Sequence, residues 1–378
     1  MSKTADLLRS LQLSDLEIAE RTGISAARIS ELLGGHSATL SELRKISNGL
    51  RISLQSIAKK AEIDAHEEAI QLLFRRVGSL NEHFDPTREA VSTFVIAALD
   101  VLPPRDANPE WIRGLEPKEE SYAEAEALAN EVRARIYPEN LYEPVPDLSL
   151  VLGSRGEIIV SRLNQSRFEG ASLIIGGHPF IFVSPRFSGR MLFTLAHELG
   201  HVIAHHQSGN GAIFEKASEI GGWRQRKREA FVDAFASVFL MPAHGVGVML
   251  KKVREHLEVK REAVGDIEIL ILARYYGVSF DVAARRCEIL ELLPPGGARS
   301  LSDNLNKEHG SAEKRAELAG LPPRVNVPLP QISNNLYKAA CEAVKNEKKS
   351  IGWIADNFGV SINDIFAAKK KLDNEYTH

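Results

Sequence analysis

Apolar residues recur along this chain at two spacings, and the switches between them mark its parts. Over residues 16–57 aliphatic side chains fall three or four apart, in short runs broken by Gly23, by Gly34-Gly35 and by Gly49. Such spacing predicts several short amphipathic helices. It continues over 62–102 and stops at Pro103-Pro104, where two prolines disfavour further helix. Residues 105–118 are polar and carry Pro109, Gly114 and Pro117, so they read as a linker before a helix over 119–136. From Leu148 the period changes to two. Leu173-Ile174-Ile175, then Gly176-Gly177, then residues 179–183 predict a β-hairpin with Phe180 and Phe182 on one face. Helical spacing returns over 190–206, 227–240 and 266–293. Residues 294–333, with two Pro-Pro pairs and a glycine pair, read as linker or irregular cover before a last helical unit over 334–372. The expected organisation is multidomain: an all-α head at 1–62, a helical connector and linker at 63–118, a central α+β domain at 119–293, a Pro/Gly-rich linker at 294–333 and a small all-α C-terminal domain at 334–378.

One pattern occurs three times: an aliphatic residue, Ala, three residues, Gly, Ile or Val, Ser. It runs from Ile18-Ala19 to Gly23-Ile24-Ser25, from Leu272-Ala273 to Gly277-Val278-Ser279 and from Ile354-Ala355 to Gly359-Val360-Ser361. Each copy predicts a helix-turn-helix corner, in which the Gly takes the left-handed turn after one helix and the Ser caps the next.

Composition narrows the classes without choosing one. Charged residues are 26% and hydrophobic ones 44%, which excludes collagen-like, mucin-like and wholly disordered chains. A net charge of −3 provides no global positive field, so any nucleic-acid contact is expected to be local. Cys287 and Cys341 are too few for a disulfide framework and suit a reducing cytosol; Cys287, in a helical stretch, reads as a small core residue. Residues 1–14 lack the apolar core of a leader, and the most apolar stretches, 92–102 and 173–183, fall short of the ~20 residues a bilayer span needs. A cytoplasmic location without membrane contact is expected.

The strongest chemical signal is His197-Glu198-Leu199-Gly200-His201. Leu192, Leu195, Ala196, Leu199, Val202 and Ile203 make one apolar stripe, so the segment is a helix with His197, Glu198 and His201 on its other face. Imidazoles at i and i+4 stand one above the other and can share one Zn²⁺ at about 2.0–2.1 Å. A catalytic zinc needs a third protein ligand. On the next predicted helix Phe231, Ala234, Phe235 and Val238 form the buried stripe, while Glu229 and Asp233 stack at i, i+4 on a different face. Glu229 is the expected third ligand, and Asp233 the group that accepts the second N–H of a ligating histidine. Glu198, facing the metal without ligating it, is the expected general base: it takes a proton from water activated by zinc and passes it to the leaving amine of a cut peptide. His205, His206 and His178 are left outside this core. Residues 207–225 contain Gly209, Gly211, Gly221 and Gly222 and read as a mobile rim. The edge of the 180–183 strand is expected either to receive an extended substrate or to be an ordinary hairpin over the core.

The run G-R-M-L-F-T-L-A-H-E-L-G-H at 189–201, preceded by Glu169-Gly170-Ala171-Ser172 and the hairpin and followed by E-A-F-V-D-A-F-A-S-V-F-L-M-P at 229–242, closely resembles the ImmA/IrrE family of zinc metallopeptidases. The resemblance covers about 120–292. It implies a zincin-like, gluzincin-type fold, zinc on His197, His201 and Glu229, and Glu198 as acid/base. Many members carry Glu-Ala-Asn where this chain has Phe231-Val232-Asp233; the Asp lies closer to thermolysin-like gluzincins.

Residues 16–57 resemble the XRE, Cro/repressor-type helix-turn-helix. That resemblance places the second helix, 26–33, in a major groove with Ala26 and Ala27 at the base-reading positions and Ser25, Arg28, Arg44, Lys45 and Arg51 as phosphate or base partners. Ala26 and Ala27 offer at most a thymine methyl contact, and Glu31 repels phosphate. DNA and another repressor's fold therefore both stand as partners for the head. Together the two resemblances imply a regulatory peptidase that cleaves an XRE-type repressor; the opposing reading is a helix-turn-helix transcription factor whose peptidase-like domain senses a ligand. An intact Glu198 argues against the second.

Overall fold

The computed structural model describes residues 8, 13–36, 38–50, 86–105, 107–164, 168–206, 212–216 and 223–366. The chain divides into two units, residues 1–72 and 73–378.

In the first unit, α1 (Asp15–Thr22), α2 (Ala26–Leu33) and α3 (Leu40–Leu50) enclose a small core that includes Ile18, Ile24, Ile29, Leu32 and Ile46. Ser14 and Glu17 form a capping box that starts α1. Gly23, at φ 65°, ends it, and Ser25 accepts the Arg28 N–H to start α2. Gly49 does not break a helix as expected. It lies inside α3, where a Cβ would fall 2.7 Å from Thr22 Cα, so its bare backbone lets α3 cross the end of α1.

The second unit is organised by a sheet of β1 (Ile159–Arg162), β2 (Phe168–Ile175), β3 (His178–Val183) and β4 (Ala212–Lys216) in the order β1-β3-β2-β4. β2 and β3 are the predicted hairpin: Ile175 pairs with His178 across Gly176-Gly177, whose φ values of 55° and 71° match a type I′ turn. β1 runs parallel to β3, and β4 antiparallel to β2. β3 is thus an interior strand and not the edge expected for a substrate, because β1 occupies its other side. β1 in turn is bridged by the C-terminal segment, where Arg162 N–H donates to Gln331 O at 3.3 Å.

Helices cover both faces. α7 (Ser188–His205) lies across β2 and β3, α8 (Trp223–Leu240) packs on α7, and α5 (Tyr122–Ile136) packs on α8. On the other face α4 (Pro86–Val101) is held between the sheet and α14 (Asn334–Lys345) with α15 (Ile351–Phe358): the Phe94 ring stands 5.3 Å from both Phe182 and Phe358. Residues 62–85 of the expected long helix lie outside the described residues.

Three expectations are corrected. Residues 148–154 form a helix, α6 (Leu148–Ser154), where a period of two had pointed to strand. The stretch read as a linker at 105–118 carries a 3-10 turn, Glu110–Ile112; it buries Ile112 and Leu115, and Trp111 Nε1 donates to Gly156 O at 2.8 Å. The stretch read as a linker at 294–333 contains α12 (Gly297–His309) and α13 (Ala312–Leu318), with Ala298, Leu305, Ala316, Val327 and Leu329 in the core that also holds α7. Prolines and glycines punctuate these segments without loosening them.

The other two repeat corners form as expected. Residues 266–293 split into α10 (Asp266–Tyr276) and α11 (Phe280–Ile289) at Gly277, φ 72°, with Ser279 accepting from Val282 N–H. After α15 comes Gly359, φ 61°, and Ser361 accepts from Asp364 N–H at 3.1 Å. Between these regions, α8 ends at Leu240 and the chain bends by 51° at Met241-Pro242 into α9 (Ala243–His256). The carbonyls left open at that bend are met by two buried arginines: Arg133 donates to Phe239 O, and Arg286 Nε to Met241 O at 2.9 Å. Among the described residues no single helix is long and apolar enough to cross a membrane.

Candidate metal centre

The predicted stripe of α7, Leu192, Leu195, Ala196, Leu199, Val202 and Ile203, is fully buried, which contributes roughly 1.5–3 kcal/mol for each of the larger side chains. The opposite face of α7 meets α8. Gly200 is the crossing point, since a Cβ there would lie 3.0 Å from Phe235 Cδ1 and 3.1 Å from Val232 Cγ1. The glycine inside the motif thus lets α8 come near enough for its acids to reach both histidines.

His197 Nε2, His201 Nε2 and Glu229 Oε2 form a triangle with sides of 3.2, 3.3 and 3.5 Å. Donors held at 2.0–2.1 Å from a tetrahedral ion stand about 3.3–3.4 Å apart, so the triangle has the size a zinc ion requires. The two imidazoles are buried, while the Glu229 side chain is 32% exposed, which leaves one side of the trio open. Two imidazoles, one carboxylate and an open position are the donor set of a catalytic zinc site. The group can hold a metal ion.

Asp233 stands where the spacing predicted, with its Oδ1 2.9 Å from His197 Nδ1. Glu198, between the two histidines, is completely buried. Its side chain lies against β2 at Gly170, where a Cβ would meet Glu198 Cγ at 2.9 Å, Thr194 Cγ2 at 2.7 Å and Glu198 Oε1 closer still. Only glycine leaves room for that side chain. Sequence reasoning noted Gly170 without assigning it a role, because nothing local in a strand announces that a carboxylate from another element rests on it.

Residues 157–288 match the IrrE N-terminal-like domain. This is a family of metallopeptidases, and the match runs from just before β1 to α11, about a third of the chain. No curated protein sequence matches the chain. The IrrE-like match takes in all four strands, α7 and α8, and with them His197, Glu198, His201 and Glu229. α5, which packs on α8, lies before it.

Two histidines set aside in the sequence stand beside the site of the IrrE-like domain. His205 Nδ1 is 2.9 Å from His201 Nδ1, and burial, helped by the neighbouring His201, pushes its pKa down to about 3. His206 is buried with Nε2 3.3 Å from Ser172 Oγ of β2, and burial holds its pKa well below the ordinary histidine value. The signal for His205 was its i+4 step beyond His201. His178 instead starts β3 directly after the hairpin turn, with Nε2 3.0 Å from Pro103 O. Of the expected rim, residues 212–216 form β4 and α8 starts at Trp223; residues 207–211 and 217–222 lie outside the described residues. Cys287 is buried on α11, and burial raises its thiol to about 12, which makes it an inert core residue.

The residues expected to meet DNA belong to the first unit. Ala26 is half-buried at the start of α2, Ser25, Ala27, Arg44 and Lys45 are exposed, and Arg51 lies outside the described residues. Arg28 is engaged by carboxylates, with Nε 2.8 Å from Glu42 Oε1 and Nη1 2.7 Å from Glu31 Oε2.

Proposed function

We propose that this chain is a regulatory zinc-dependent endopeptidase, which cuts an XRE-type repressor in an extended segment and so releases genes of stress response, phage defence or mobile elements. The observation that carries the reading is the zinc-sized triangle of His197, His201 and Glu229 on the same helix pair as a buried Glu198, within a match to a metallopeptidase family.

His197, His201 and Glu229 would hold the ion, and Asp233 accepts a hydrogen bond from the His197 Nδ1–H, so that Nε2 presents its lone pair. When bound, zinc supplies Lewis acidity and brings the pKa of water to about 7. Glu198 accepts one proton of the attacking water on its carboxylate and delivers it to the nitrogen of the departing amine. Water is thereby divided across the peptide bond, giving a carboxylate and an amine. Gly170 keeps the Glu198 carboxylate in place for both transfers. An extended substrate backbone would lie along β4, which among the described residues pairs on one side only.

The first unit, a helix-turn-helix head in this reading, serves docking. Arg28 is occupied by Glu31 and Glu42, and Ala26 and Ala27 offer methyl groups alone, so Arg44 and Lys45 remain for phosphate contact, which positions without specifying sequence. The deciding experiment is zinc analysis of the purified protein combined with mass spectrometry of its action on the repressor encoded beside it. One or a few cuts, absent in Glu198→Gln, are expected; many scattered cuts in unrelated folded proteins would overturn the regulatory reading.

A further inference from the structure

The two histidines of the triangle are backed by different groups. Behind His197 stands a carboxylate, Asp233, whose side chain is 55% exposed. Behind His201 stands a third imidazole, with 2.9 Å between the two Nδ1 atoms, and the side chain of that His205 is 5% exposed.

Two ring nitrogens at hydrogen-bond distance hold one proton between them, so one donates and the other accepts. Ligation of a metal through His201 Nε2 puts the His201 proton on Nδ1, which makes His201 the donor and His205 Nδ1 the acceptor. His205 then carries its own proton on Nε2. That nitrogen lies 3.6 Å from Glu120 Oε1, and Arg228 Nε approaches the same oxygen at 3.4 Å. Glu120 stands just before Ser121, the N-cap of α5, and Arg228 directly precedes the ligand Glu229 on α8. The Nδ1–Nδ1 contact is the one hydrogen bond of this series; among the described residues His205 Nε2 is buried without a hydrogen-bond partner and has Glu120 Oε1 beside it at ion-pair distance, an acceptor whose charge favours the proton on Nε2.

We propose that His205 is a positioning residue for His201: its Nδ1 accepts the His201 Nδ1 proton, its Nε2–H faces Glu120, and Glu120 is tied by Arg228, so that the tautomer and ring plane of His201 are set through α5 and α8. The inference rests on reading His197, His201 and Glu229 as a metal centre. It assigns a part in the site to Glu120, which the sequence and the family match both leave out.

The test uses the full-length protein loaded with Co²⁺, whose visible bands report ligand geometry, together with competition against a chelator. His205→Leu removes the acceptor; His205→Asn keeps an Oδ1 acceptor close to the position of Nδ1. His205→Leu is expected to bind Co²⁺ roughly 10–100-fold more weakly with shifted bands, as loss of an outer hydrogen-bond partner does. His205→Asn should restore most of both, and Glu120→Ala should shift both in the direction of His205→Leu. Wild-type affinity and bands in His205→Leu would overturn the proposal even if its melting temperature fell, since a purely structural role would do that. If His205→Leu does not fold, Glu120→Ala decides, and wild-type values there overturn the relay. Asp233→Ala separates the two readings: weakened Co²⁺ binding there beside an unaffected His205→Leu leaves the metal centre standing without the relay, whereas wild-type protein that takes up no Co²⁺ overturns both.

Discussion

Gly170 of β2 lies directly against the side chain of Glu198 on α7, so closely that a methyl group at residue 170 would come within 2.9 Å of Glu198 Cγ. Gly170→Ala must therefore push the carboxylate aside, while His197, His201 and Glu229 keep their own supports. Bound metal should stay stoichiometric and cleavage should fall by about 10²-fold, the usual cost of displacing a catalytic group by about 1 Å. Wild-type turnover in Gly170→Ala would show that the contact does not position Glu198.

Glu198→Gln should retain the metal and lose cleavage by roughly 10²-fold or more, because the shape is kept and the proton acceptor is gone. Metal analysis and product mass spectrometry on one sample check both halves. Full activity would exclude Glu198 as the base.

Glu229→Ala removes one corner of the triangle and should lose most bound metal after dialysis. Asp233→Ala removes only the partner of His197 Nδ1, so a smaller loss, about 10–100-fold in affinity or activity, is expected. Stoichiometric metal in dialysed Glu229→Ala would place the third ligand elsewhere.

The Arg28–Glu42 pair makes a prediction about pH. Arg28, together with the Thr39 backbone N–H and hydroxyl, holds the Glu42 carboxyl down at about 2. A folded value below the unfolded one, about 4.3, means that ionised Glu42 favours the folded head above that range and ceases to do so as pH falls through about 2. Side-chain NMR of the full chain should show no Glu42 protonation between about pH 6 and about 3.5. A midpoint near 4.3 would show that the pair does not form in solution.

If the head meets phosphate through Arg44 and Lys45, replacing both with Ala should weaken DNA binding evenly across sequences and lower the salt slope by about two, roughly one for each lost contact. Arg28→Ala should change that slope little, since its guanidinium is already held by Glu31 and Glu42. A tight, salt-resistant complex with one operator would favour a sequence-reading head.

Much of the site was legible because its chemistry follows helical spacing. His197 with His201, and Glu229 with Asp233, are i, i+4 pairs that share a face on any α-helix. The hairpin was legible from Gly176-Gly177 between apolar runs, and the three corners from a Gly two residues before a capping Ser. The two supposed linkers were misread because Pro and Gly report local backbone preference, whereas the burial of Leu115, Leu305 or Leu329 depends on segments far away in sequence. The same limit explains why β3 looked like an edge: strand order depends on which partner closes each side, and β1, the strand that closes it, carries no mark of that pairing.

By itself, then, the sequence determined the helices that carry His197, His201 and Glu229, the turn of the hairpin, the corners at Gly23, Gly277 and Gly359 and the types of residue available for chemistry, since all of these depend on backbone preference and periodicity within a few residues. Tertiary structure alone decided that α8 crosses α7 at Gly200 and brings Glu229 to the histidines, that Gly170 lies against Glu198, and that Glu120 lies within 3.6 Å of His205 Nε2. Those are distances between segments far apart in the chain, set by how whole faces pack, and spacing along one segment does not encode them.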